Sequence, residues 1–276
     1  MDNLRRWKRM RREKDPGLEA FLRDHEPYCV SACGRLLREG GRNHIWGRYN
    51  DAGTIEALLM HSRRSLFPVS WGTGPKPEFL DRFLNRYSIH AVQGLAADVA
   101  VLDRILAGKG LPLAEGIDYD LMALDGVPAA PERTGGPVLR GPAAGDMDSL
   151  YELQAAYEKE EVLPKGAEFN PAACRRSVER IAAEEEILVA ELGGRLIGKI
   201  NTNARSFTRY QIGGVYVLPE FRGRGIATSM AAAFARELCS KGWGLSLFVK
   251  KSNIPARTVY DRIGFKTIAD FRISYY

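Results

Sequence analysis

Cysteine and histidine are scarce in this chain, four of each among 276 residues. Cys29, Cys33, Cys174 and Cys239 form no Cys-x-x-Cys pair, and His25, His44, His61 and His90 share no metal-ligand spacing. That argues against a disulfide-stapled secreted scaffold and against a zinc centre. The expectation is reduced thiols in a cytoplasmic protein with no metal. No run approaches the roughly 20 apolar residues of a membrane span, and no apolar core follows the basic N-terminus as in a secretory signal. Negative charge is short by six, but the deficit is local. Residues 1–14 hold seven cationic residues against Asp2 and Glu13, a net of +5, which leaves the remainder at +1. The basicity therefore belongs to a terminal arm, read as a solvated, partly frayed first helix that Trp7 can tack to the body. With a near-neutral body, neither a nucleic-acid nor a membrane partner is expected.

What is present is a glycine loop in a telling place. Ile212 to Leu218 is an apolar run of strand length closed by Pro219, then comes Glu220-Phe221-Arg222-Gly223-Arg224-Gly225-Ile226-Ala227-Thr228. Ile226, Met230, Phe234 and Leu238 recur every four residues, and Gly242 ends the segment, which predicts an amphipathic helix starting near Gly225. A helix start leaves backbone N–H groups without intrahelical partners, and with the helix dipole these suit a phosphate. The glycines let the backbone approach a bulky anion closely. The loop lacks the Lys-Ser/Thr ending of a nucleotide P-loop and the third glycine of a dinucleotide fingerprint.

A second segment follows. Leu245 to Val249 reads as a buried strand. Asn253 can cap the next helix with Pro255 in its first turn, and Gly264 ends it. Arg222, Gly225 and Ala227 fill Q/R-x-x-G-x-G/A, and Asn253, Ala256, Tyr260 and Gly264-Phe265 follow in order. On these motifs the stretch from about Val138 to Tyr276 resembles the GNAT acetyltransferase superfamily.

The Pro/Gly-rich seam at 127–137 reads as a linker, dividing a smaller N-terminal α/β domain (1–126) from a GNAT domain (138–276). In the first half, helix is expected over Ala20 to Gly40 around Pro27, over Pro77 to Tyr87 and over Asp98 to Gly108. Strands are expected at Ile55–Met60, Ser65–Val69, Ile89–Gly94 and Leu121–Leu124. This alternation fits an α/β layer and resembles the extra domain of bacterial two-domain GNAT proteins, a degenerate acetyltransferase half. Gly72-Thr73-Gly74 reads as a plain turn, and no internal repeat is visible. In the second half, a strand at 138–140, helices over 146–161 and from Asn170, and a hairpin over 187–200 lead to the strand 211–218. Phe265 to Tyr276 is read as two closing strands. The implied fold is a mixed, splayed sheet flanked by helices.

The resemblance implies acetyl-CoA as acyl donor and a small-molecule or peptide amine as acceptor. Amides from Gly223 to Thr228 would hold the pyrophosphate, with charge from Arg222 and Arg224. The pantetheine arm would lie between splayed parallel strands, along Val215, Tyr216 and Val217, with Asn253 and Ala256 further along. Tyr260 stands at the family's general-acid position, where a protonated phenol can serve a departing thiolate. Some relatives place a Glu base where this chain has Gln211, which cannot take a proton at neutral pH. Glu160, Glu161 and Glu168 are the other candidates for a proton relay. The alternative to an N-acetyltransferase is a non-catalytic acyl-CoA sensor. The sequence leaves the acceptor and the oligomeric state open.

Overall fold

The computed structural model describes residues 7–12, 14–38, 43–70, 72, 77–128, 136–163 and 166–276, without the side chains of 77–79. The start of the basic arm, Thr73, Gly74 and the middle of the seam (129–135) lie outside the described residues. The chain forms two compact units, 1–121 with 268–276, and 122–267.

The first unit runs β1 (Trp7–Met10), α1 (Pro16–Asp24), α2 (Val30–Leu37), β2 (His44–Tyr49), β3 (Ile55–Ser62), β4 (Ser65–Val69), α3 (Pro77–Leu84), β5 (Ala91–Leu95), α4 (Ala96–Ala107) and β6 (Glu115–Leu124). The second unit repeats that order: β7 (Val138–Arg140), α5 (Met147–Tyr157), α6 (Pro171–Glu184), β8 (Ile187–Leu192), β9 (Arg195–Arg205), β10 (Arg209–Val217), α7 (Ile226–Ser240), β11 (Gly244–Lys250), α8 (Ile254–Ile263) and β12 (Lys266–Tyr275). In both, three antiparallel strands lead to one parallel pair, β4 with β5 and β10 with β11. The repeat is thus one of topology.

Most of β12 belongs to the first unit. β12 pairs antiparallel with β5, from Phe271–Leu95 to Tyr275–Ala91, inside the first unit. Met122 and Leu124, at the end of β6, fall in the core of the second unit. Two readings need correction. Residues 266–275 make one strand rather than two. Residues 7–10 are a strand paired with β2 rather than a frayed helix, because Trp7 and Met10 find burial there. The expected helix 146–161 ends at Tyr157 and continues as a π-helical turn, Glu158–Val162.

In the second unit the sheet order is β11-β10-β9-β8-β7. Strand parity splits its core in two. Val189 and Leu196 pack with Leu150, Leu153 and Val178 of α5 and α6. Leu188, Ala190, Ile197 and Ile200 pack with Met230, Phe234, Ala235 and Leu238 of α7. Each helix lays an apolar face on one side of the strands.

Candidate active site

The parallel pairing of β10 with β11 runs from Arg209–Gly244 to Ile212–Leu247 and stops, although β10 continues to Val217 and β11 to Lys250. A β-bulge produces the parting. Gly213 faces Asn201 and Tyr216 faces Lys199, so two residues of β10 oppose one of β9. Such an insertion bends its strand and frees backbone groups. Gly214 sits there with φ of +57°, and a Cβ on it would collide with Asn201 Oδ1 and stand 2.7 Å from Lys199 Nζ.

Between the parted strands lies a cavity of about 680 Å³. Its lining contains Val215, Tyr216, Val217, Arg222, Gly223, Gly225, Ile226, Ala227, Thr228, Asn253, Ala256 and Tyr260. Every residue expected to hold the cofactor is there except Arg224, which donates to the Glu220 carbonyl at 3.1 Å and lies against the Phe221 ring. Gly223 and Gly225 have φ of +74° and +76°, the left-handed region that glycine enters freely. The helical ladder then opens with Ser229 N–H donating to the Gly225 carbonyl at 3.0 Å. The first turn of α7 thus aims its remaining amides at the cavity.

The guanidinium of Arg222 is held on the protein. Its Nε donates to the Val217 carbonyl at 2.9 Å and its two Nη atoms grip Glu160 at 2.6 and 2.8 Å. Tyr216 Oη also donates to Glu160, at 2.9 Å. Arg222, with help from Tyr216, holds the Glu160 carboxyl below the usual range. Glu161, the next residue of the π-helical turn, reaches the opposite arm: Lys250 Nζ donates to its carbonyl at 2.6 Å, and Asn253 Nδ2 to its Oε1 at 3.4 Å. The turn therefore ties β10 to β11 across the gap. π-helical turns recur at functional sites.

Tyr260, on α8, is buried at the cavity wall, and burial first, then Tyr157 and Glu161, pushes its phenol up. The phenol therefore stays protonated at neutral pH. Asn253 caps α8 by accepting from Ala256 N–H at 3.1 Å. Gln211 donates to Asn203 Oδ1 at 2.8 Å and, like the exposed Glu168, is not among the lining residues.

Sequence reasoning missed Lys199. It is 2 % exposed, donates to Asn201 Oδ1 at 2.7 Å and to the Gly214 carbonyl at 3.0 Å, and stands over the Tyr157 ring. Burial brings its pKa down to about 7, against the opposing pull of Glu158 and Cys174. Burial also pushes Tyr157 up to about 12, against a hydrogen bond from the Gly214 backbone. Lys199 thus holds the bulge carbonyl, with the Tyr157 ring beside it. The available signal was strand alternation, which turns Lys199 to the face opposite its neighbour Ile200.

Residues 147–265 match the profile of the Acetyltransferase (GNAT) family. The chain is 37% identical over 87 residues to a mycothiol acetyltransferase of Streptomyces bingchenggensis, a match covering 30% of this chain and 28% of that one. It is 29% identical over 84 residues to an acetyltransferase of Pectobacterium atrosepticum, covering 29% of this chain and 57% of the relative. In each case the match spans well under two thirds of the relative's length. A Drosophila protein of known structure superposes over 98% of both chains, with a TM-score of 0.69 at 15% identity, a likeness of fold.

Proposed function

From the match of residues 147–265 to the GNAT acetyltransferase family, we propose that the chain moves an acetyl group from acetyl-CoA to an amine, by direct attack with both substrates bound. The observation that carries this reading is the parted β10–β11 pair, which opens on a helix N-terminus through two left-handed glycines. The amides from Gly223 to Thr228 would hold the pyrophosphate. Unpaired backbone of β10 beyond the bulge can pair with an amide chain as a strand would. When bound, acetyl-CoA supplies the activated acyl group and a thiolate leaving group.

The chain's own residues then have three tasks. Val215, Tyr216 and Val217 orient the amide arm and exclude water. Tyr260 holds a proton at Oη for the departing sulfur. Arg222 stiffens the loop, since its donors are taken by Val217 and Glu160. Glu160 and Glu161, the carboxylates in the lining, are bonded to cationic partners. We therefore assign neither as base; the acceptor arrives already deprotonated, and proximity supplies the rate.

The test is titration with acetyl-CoA in a calorimeter, followed by thiol release with amino acids, polyamines, aminoglycosides and peptides. Saturable binding with amine-dependent release is expected. Binding without turnover would turn the reading toward an acyl-CoA sensor, and no binding would overturn the site.

A further inference from the structure

A notch in the first unit has no part in acyl transfer. It holds about 300 Å³, the lower end for small-molecule sites. One wall is β1 and β2. Arg9 stands directly across from Trp46, and Trp7 lies two residues back on the same face of β1. The other wall is α3 and the residues after it, with Arg82, Arg86 and Tyr87. Trp46 is fixed edge-on by Phe83 at 5.1 Å and by Tyr87 at 5.9 Å between ring centroids. The rings are thus set in place before any ligand arrives.

The charge is one-sided. Among the described residues, three guanidiniums line the notch and no carboxylate does. Elsewhere Arg140, Arg175, Arg222 and Arg272 meet carboxylates. Arg9 meets instead a ring nitrogen, His44 Nδ1, at 2.9 Å, and Arg86 lies 5.8 Å from the Tyr87 ring centre. His44 registers the field: after burial, Arg9, His61 and Arg86 all push its pKa down. Like charges gathered around flat rings favour an anion, and a guanidinium fork matches a carboxylate.

We propose that this notch binds a small aromatic carboxylate of one or two rings, the ring against Trp46 and Tyr87 and the carboxylate on Arg82 and Arg86. Arg9, from the basic arm, thereby joins one wall of this site. The size of the notch favours one or two rings over a nucleotide.

The test is calorimetry on the full chain with indole-3-acetate, indole-3-acetamide, acetate and AMP. Saturable binding of indole-3-acetate is expected, weaker by about tenfold or more for the amide and for acetate. An Arg82→Gln, Arg86→Gln double variant should lose about tenfold or more in affinity. Both side chains are exposed, so an unchanged melting temperature shows that the fold persists. Acetyl-CoA binding by the variant should be unaltered, which separates this site from the one in the second unit. The proposal is overturned by no saturable heat with indole-3-acetate up to about 5 mM. Equal affinity for the amide, undiminished affinity in the double variant, or tighter binding of AMP would each overturn it too.

Discussion

Lys199→Met should reverse its effect on stability with pH. The ammonium is almost wholly enclosed and its pKa falls to about 7 from 10.5, with burial as the main cause. Between those values the unfolded chain carries a proton that the folded chain lacks. Unfolding then takes up a proton, so raising the pH opposes it. Stability should climb by about 1.4 kcal/mol per pH unit from about pH 7 toward 10.5. Below pH 7 both states are protonated, the slope vanishes, and the buried charge costs on the order of 5 kcal/mol relative to alkaline solution. Methionine removes this titration and two hydrogen bonds, to Asn201 and Gly214, a loss of about 1–3 kcal/mol independent of pH. The variant should therefore be the more stable protein at pH 6 and the less stable one near pH 10. Urea unfolding of both proteins from pH 6 to 10 measures the difference, in which all other titrating groups cancel. Nitrogen-detected NMR of the lysine Nζ gives the midpoint directly. Parallel stability profiles, or an Nζ midpoint near 10, would refute the reasoning.

Gly214→Ala places a side chain at φ of +57°, for about 1–2 kcal/mol, and drives Asn201 and Lys199 off the bulge peptide. A total loss of about 2–4 kcal/mol in thermal or urea unfolding is expected, and an unchanged melting temperature would count against the bulge network. Asn253→Ala removes the cap of α8 for about 1 kcal/mol, to be seen as faster amide exchange in the first turn of that helix; unchanged exchange would show the cap to be idle. Tyr260→Phe keeps the ring and loses the proton donor, so turnover should fall by about 10²-fold or more while acetyl-CoA affinity stays put. Equal rates would remove Tyr260 from the chemistry.

The parts of the second unit that could be read in the sequence are those whose geometry is local. Gly223 and Gly225 permit a turn of the chain at their own positions, and Asn253 caps its own helix, so three or four residues carried the information. The π-helical turn is different. Glu160 is fixed by residues 56 and 62 positions away, and Glu161 by Lys250 and Asn253, 89 and 92 positions away. No periodicity within Glu158–Val162 contains those partners, and four charged residues in a row look like a solvated helix end. β1 failed for the same reason, since Trp7-Lys8-Arg9-Met10 becomes a strand only beside β2.

Lys199 falls between these cases, and it shows how a local signal can be recovered. Its partners Asn201 and Gly214 are near in sequence or on the neighbouring strand, and the run Leu196-Ile197-Gly198-Lys199-Ile200 is strand-like. Lys199 alternates with Ile200, which packs on α7, and so points to the side of α5 and α6, over the Tyr157 ring. A lysine there must find acceptors or give up its proton. The glycine pair at 213–214 is the sequence mark of what it finds, because only residues without a Cβ leave room above the bulge for Asn201, Asn203 and the lysine amine. An inward lysine facing a Gly-Gly pair on the next strand thus predicts a bulge held by that lysine. Here that bulge is where β10 parts from β11.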